Sequence, residues 1–181
     1  MDKKQDSKHA GQGVFIRRFL VSDLPEDVSK SGPHIQIFDN YIVDTDLHLR
    51  KARNPADDER RFCIKKPGIA FERPSIEIEL TKEEYEAFDG FRGRETRFNR
   101  YDSESVVGSA TIDIFLGELW GINILTVRLD SKEDARDFEV PSDVIAEITE
   151  DEYFEGKRLV ERNLDQVRDH LAQKKGDPKA S

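Results

Sequence analysis

The sequence predicts a single α+β domain that is mainly β, an antiparallel barrel or sandwich with a few short helices. Three observations carry this. About eight runs of β-branched and aromatic residues recur along the chain, and turn residues separate them. The 181 residues suit one domain with one sizeable core. Hydrophobic residues make up 36% and charged residues 37%, with 11 phenylalanines to bury, so general disorder is excluded.

The elements follow in order. Residues 1–12 hold Lys, Asp, Ser, Gln and Gly with little to bury and predict a mobile tail. The domain spans 13–173, and a second mobile tail covers 174–181. Strands are expected at Gly13–Val21, His34–Ile42, Leu47–Arg53, Arg60–Lys66 and Ser75–Leu80. Ser31-Gly32-Pro33, Asn54-Pro55, Lys66-Pro67-Gly68 and Asp89-Gly90 break the chain between elements. Three more strands follow at Glu95–Tyr101, Ser109–Leu116 and Ile122–Leu129.

Helix starts are legible as well. Thr81-Lys82-Glu83-Glu84 is a capping box, and Ser131–Phe138 reads as a second short helix. Thr149-Glu150-Asp151-Glu152 reads as another box, leading into a long helix over Gly156–Gln173. There Val160, Leu164, Val167 and Leu171 recur at helical spacing, which places that helix against the outside of the sheet. In Ser75–Leu80 both glutamates share one strand face and the apolar residues the other, which fits a charged barrel interior or a sheet with one solvated face.

Composition limits the function. Lys+Arg total 29 against 38 for Asp+Glu, a net charge of −9, which disfavours coating nucleic acid through overall charge. No apolar run spans a bilayer, and the opening residues lack a signal-peptide core, so neither a membrane partner nor export is expected. The single cysteine, Cys63, cannot form an intramolecular disulfide, and a cytoplasmic location is the natural expectation. There is no phosphate loop, Cys/His zinc spacing or nucleophile elbow. Cys63 reads as core, and Asp44-Thr45-Asp46 as a turn rather than a metal pair.

A set of ordered motifs goes further. Arg17-Arg18-Phe19-Leu20-Val21, Asp39-Asn40-Tyr41, Leu47-His48-Leu49-Arg50, Ile64-Lys65, Glu77-Ile78-Glu79, Thr96-Arg97-Phe98, Ile112-Asp113-Ile114-Phe115 and Glu147-Ile148-Thr149 follow one another over about residues 13–160. In this order the chain resembles the CYTH domain, or triphosphate tunnel metalloenzyme family. The resemblance implies an eight-stranded antiparallel barrel, or tunnel, that hydrolyses or cyclises triphosphate compounds. In that plan basic side chains hold phosphate oxygens while clustered glutamates hold Mg²⁺ or Mn²⁺.

Carried over residue by residue, the anion-holding half survives and the metal-holding half does not. The family's Glu-x-Glu-x-Lys first strand corresponds to Val14, Ile16 and Arg18, and its Glu-x-Glu eighth strand to Thr126-Val127-Arg128. Four carboxylates are thereby lost, one to a cation. The resemblance implies Arg18, His48, Arg50, Lys65, Arg97 and Arg128 as phosphate-binding residues. Glu77, Glu79, Asp113 and Glu147 remain as residual ligands for Mg²⁺ or Mn²⁺. Three readings stand: a polyanion-binding module for a triphosphate or nucleotide with weakened or lost hydrolysis, an active triphosphatase or cyclase with rearranged ligands, and a non-catalytic scaffold whose charges pair internally.

Overall fold

The computed structural model describes residues 15–56, 58–66, 75–88, 90–91, 93–104, 106 and 108–176. The expected first tail, Val14 and most of the second tail lie outside the described residues. So do Pro67 and Gly68 of one expected breaker and Asp89 of another. No helix among the described residues is long and apolar enough to cross a membrane.

Among the described residues nine antiparallel strands form one sheet: β1 (Phe15–Val21), β2 (Ile35–Ile42), β3 (Leu47–Arg53), β4 (Glu59–Lys65), β5 (Ile76–Leu80), β6 (Gly93–Ser103), β7 (Ser109–Phe115), β8 (Asn123–Leu129) and β9 (Val144–Glu147). Their order is β5-β4-β3-β2-β6-β7-β8-β1-β9. The eight expected strands are all present within a few residues. The ninth, β9, was not expected; it is four residues long and follows Pro141 in irregular chain. It adds itself to the free edge of β1 by pairing Phe19 with Glu147. Among the described residues β5 and β9 do not pair with each other, so the hydrogen-bonded ring expected of a closed eight-stranded barrel is not formed.

The helices are short. Thr81 caps α1 (Lys82–Glu86) through the expected box, and Ser131 caps α2 (Lys132–Asp137). The Thr149 box does not form. That hydroxyl accepts from the Arg18 backbone N–H at 3.0 Å and donates to Glu147 at 2.7 Å, tying two strand ends together. Asp151 instead caps a 3₁₀ turn at Glu152–Phe154. The single long helix is also divided, into α3 (Gly156–Leu159) and α4 (Leu164–Gly176). The divider is Asn163, whose side chain accepts from Gln166 N–H while Gln166 accepts from Asn163 N–H, a reciprocal cap that starts a new helix. Lys174 belongs to α4 rather than to a tail and reaches Asp151 at 2.7 Å.

Directly opposed residues of an antiparallel pair share a face, so register sorts the side chains. Leu20, Ile37, Phe98, Phe115 and Ile124 lie on one face with Arg18, Arg50 and Asp113. They pack there against Ile148, Phe154, Leu159 and Val167. The C-terminal helices therefore sit on the face that carries the ionic residues, not outside it. The reason is that the apolar stripe of α4 finds its apolar partners at that end of the face. Phe19, Val21, Ile112, Leu125 and Val127 form a second core on the opposite face, closed by Leu24, Val106 and Phe138.

Candidate functional site

The ionic face is built by strand parity. One register row runs Thr96, Asp39, Arg50, Phe62, Glu79 across β6, β2, β3, β4 and β5. Two residues along β2 and β3, Tyr41 opposes His48. Nearer the other end, Arg100 on β6 opposes Asp113 on β7. Each arginine fork is filled by a carboxylate. Arg50 donates to Asp39 at 2.7 and 2.6 Å, and Arg100 to Asp113 at 2.7 and 2.7 Å. Such bidentate pairs fix orientation as well as charge. Asp39 is 1% exposed.

A third cluster joins the sheet to the C-terminal segment. Arg18 donates to Glu155 at 3.0 Å and to the Phe154 carbonyl at 3.1 Å, and Lys66 donates to the other oxygen of Glu155. Gly156 follows because a Cβ there would lie 1.8 Å from the Tyr41 hydroxyl oxygen. Tyr41 in turn donates to Asp39 at 3.5 Å and stacks on His48 with ring centroids 4.9 Å apart.

The electrostatics follow from burial and pairing. Burial, reinforced by the Asp39 charge, pushes the Tyr41 phenol far above its ordinary range, so it stays a neutral donor. Burial lowers the His48 imidazole, against the opposing pull of Asp39, and favours its neutral form. Burial also works against the Arg50 and Arg100 charges, but the hydrogen bonds they donate to Asp39 and Asp113, with the carboxylates' negative charge, outweigh it and hold both guanidiniums charged.

The face brings together Arg18, His48, Arg50 and Asp113 of the residues singled out from the sequence. Arg128 shares their parity but is exposed near the end of β8, opposite Ile16 and Ser109. Lys65 and Arg97 do not join them. Lys65 opposes Leu47 and Ile76, and Arg97 opposes Phe38, all on the opposite face. Arg97 bonds Glu95 at 2.6 Å and lies over the Phe38 ring. In β6 the inward residues are Thr96, Phe98 and Arg100, one step out of phase with Arg97.

The residual carboxylates do not converge. Glu79 is bound by Arg60 at 2.9 and 2.8 Å on edge strand β5, and Glu77 lies beside it. Four strands, β4, β3, β2 and β6, lie between them and Asp113 on β7. Glu147 is on the opposite face, held by Arg17 at 3.0 and 2.7 Å. Among the described residues no three His, Cys, Asp or Glu side chains gather as a metal site, so the donor set for Mg²⁺ or Mn²⁺ does not fit.

Sequence reasoning passed over Arg100, Lys66, Glu155 and Arg60, and read Asp39 and Tyr41 only as motif letters. Arg100 was open to discovery, because extending β6 by parity from Phe98 points it inward. Glu155 left no local signal, since its partners lie far away in the chain.

No family model matches the chain, and no curated protein matches it. Among solved structures the fold is shared with the crystal structure of the inorganic triphosphatase NE1496, at TM-score 0.56 and 21% identity over 82% of this chain and 94% of that one. A crystal structure of NE1496 described as a hypothetical protein gives TM-score 0.56 and 20% identity over 82% and 97%. The fold is CYTH-like.

Proposed function

We propose that the ionic face binds a compact polyanion, a triphosphate or a nucleotide triphosphate, and that the chain does not carry out ordinary metal-dependent hydrolysis. The observation behind this reading is the shared carboxylate at Glu155. Arg18 and Lys66 both converge on it, while Arg50 and Arg100 each have a carboxylate of their own. Four cations thus meet three carboxylates, and the third is supplied by a segment outside the sheet. A phosphate chain offers the same acceptor geometry as Glu155 with more charge, so Arg18 and Lys66 are the groups it would engage first. The CYTH-like fold, shared with a protein described as an inorganic triphosphatase, supports the ligand class.

A closed, ion-paired scaffold is the second reading, favoured by the burial of Asp39 and its two-point bond to Arg50. Calorimetry separates them. Tripolyphosphate, ATP and thiamine triphosphate are titrated in EDTA, then with Mg²⁺ or Mn²⁺ while phosphate release is followed. The proposal expects binding in EDTA that weakens as salt rises. Absence of binding under every condition favours the scaffold. Binding that needs the ion and proceeds to rapid phosphate release would show an active triphosphatase, and the claim of lost hydrolysis would fall.

A further inference from the structure

At the opposite end of the sheet from the ion pairs of β3 and β4 lies a groove of about 1300 Å³, bounded by the loop after β1, the ends of β7 and β8, and α2 with the chain that follows it. Its volume exceeds the range of about 300–1,000 Å³ typical of small-molecule sites. Its floor is apolar: Leu24, Val106 and Phe138 rest half-buried on the second core. Its rim is acidic. Asp23, Glu26, Asp130, Asp134, Glu139 and Asp143 line it without an ion pair among the described residues, while Asp137, also on the lining, is held by Arg136. Among the described residues Arg128 is the only cation on the lining.

Carboxylates without an ion pair, such as Asp44, Glu77 and Glu118, also occur elsewhere among the described residues; what distinguishes the groove is that several of them ring one apolar floor. Carboxylates elsewhere are met repeatedly: Asp39 by Arg50, Glu79 by Arg60, Glu147 by Arg17, Asp151 by His170 and Lys174. Here six of the lining carboxylates described go without an ion pair around one apolar floor. Like charges crowded on a rim repel one another, and a cationic partner relieves that repulsion as it binds. A bare divalent ion does not fit, because among the described residues no three carboxylates converge. A small polyamine would satisfy the rim and leave the floor wet. Nucleic acid is repelled by the same charges.

We propose that this groove binds a lysine- or arginine-rich peptide segment of a partner protein, with apolar side chains on the Leu24, Val106 and Phe138 floor and cationic ones on the rim. The site is separate from the polyanion reading of the ionic face and does not depend on it. Apolar contacts at the centre supply affinity, and the rim supplies selection by charge and rate of encounter.

The test uses a fluorescein-labelled octapeptide of alternating lysine and leucine, with a glutamate–leucine octapeptide as counterpart, read by fluorescence anisotropy on the full chain. The lysine peptide should bind and the glutamate peptide should not. Asp130→Lys with Glu139→Lys should weaken binding at least about tenfold, while Glu86→Lys with Asp165→Lys, an equal charge change on exposed helices elsewhere, should leave it within about twofold. Thermal melts confirm that each variant is folded, and Phe138→Ser tests the floor with the rim intact. Equal losses in the two charge-reversed variants would mean attraction to overall charge, and the proposal fails. Absence of binding by the lysine peptide also overturns it. A tenfold gain in peptide affinity from Lys3→Gln, Lys4→Gln and Lys8→Gln together would assign the groove to the chain's own N-terminal segment instead of a partner.

Discussion

Replacing Asp39 by asparagine keeps the shape of the side chain and removes the charge that Arg50 is built around. The wild-type pair is bidentate at 2.7 and 2.6 Å, with Asp39 1% exposed and the Arg50 side chain 20% exposed. Asparagine turns one acceptor into a donor that faces a guanidinium, so one bond becomes a repulsion and a cation is left inside without a counter-charge. Breaking a buried pair this way costs about 3–5 kcal/mol, and the partial exposure of Arg50 places the value near the lower end. A chain of this size loses about 2–4 °C in melting temperature per kcal/mol, so Asp39→Asn should melt roughly 6–12 °C lower. Removing both charges together, as Asp39→Leu with Arg50→Met, should recover most of the loss, because two apolar side chains of similar volume need no desolvation. Circular dichroism melts of the wild type, both singles and the double form a mutant cycle. If Asp39→Asn melts within about 2 °C of wild type, the pair is not a structural tie and the reasoning fails. A second readout addresses the ligand: with Arg50 released, tripolyphosphate should raise the melting temperature of Asp39→Asn more than that of wild type.

Glu155→Gln should loosen the hold on Arg18 and Lys66, tighten tripolyphosphate binding several-fold and lower the melting temperature by a few degrees, as read by calorimetry and thermal melts. Burial holds the His48 imidazole below its ordinary value, so on acidification below about pH 6.5 the unfolded chain takes up the proton before the native one does, and stability falls. His48→Phe keeps a ring against Tyr41 and should shrink the loss of melting temperature between about pH 8 and about pH 5.5; an unchanged loss would assign it to other groups. Gly156→Ala drives a methyl into the Tyr41 hydroxyl and should destabilise by about 1–3 kcal/mol, whereas Gly90→Ala meets open space and should stay within about 0.5 kcal/mol in denaturant melts.

Strands were legible because their signals are local. Ser109–Phe115 and Asn123–Leu129 are rich in β-branched and other apolar residues, with Gly117 and Gly121 turning the chain between them, and the Thr81 box marks a helix start without help from elsewhere. The Asn163-x-x-Gln166 cap was equally local, and the apolar spacing of Val160 and Leu164 hid it. Facing was less legible. Reading Arg97 as inward shifts β6 by one residue, and one residue exchanges the two faces of a strand. Lys65 is lost to the site for the same reason, while Lys66, just past the strand end, is free to turn toward Glu155. Glu155 could not be read at all, because its role comes from the C-terminal segment folding back over the sheet. The open sheet also escaped prediction, since pairing between edge strands leaves no mark on either strand alone.

The position of β1 sets the tempo at which this molecule assembles. Strands β2 to β5 are neighbours in chain and in space, so they close as successive hairpins soon after synthesis. Strand β1 is made before them all, yet both its neighbours, β8 and β9, come more than a hundred residues later. Until they emerge, Phe19, Leu20 and Val21 wait without partners, and loop closure over that distance is slow. When β1 inserts it adds Leu20 to one core and Phe19 and Val21 to the other in a single event. The first of these strands is thus seated late, against β8, with only β9 left to dock on its far edge, and its arrival joins both sides of the sheet at once.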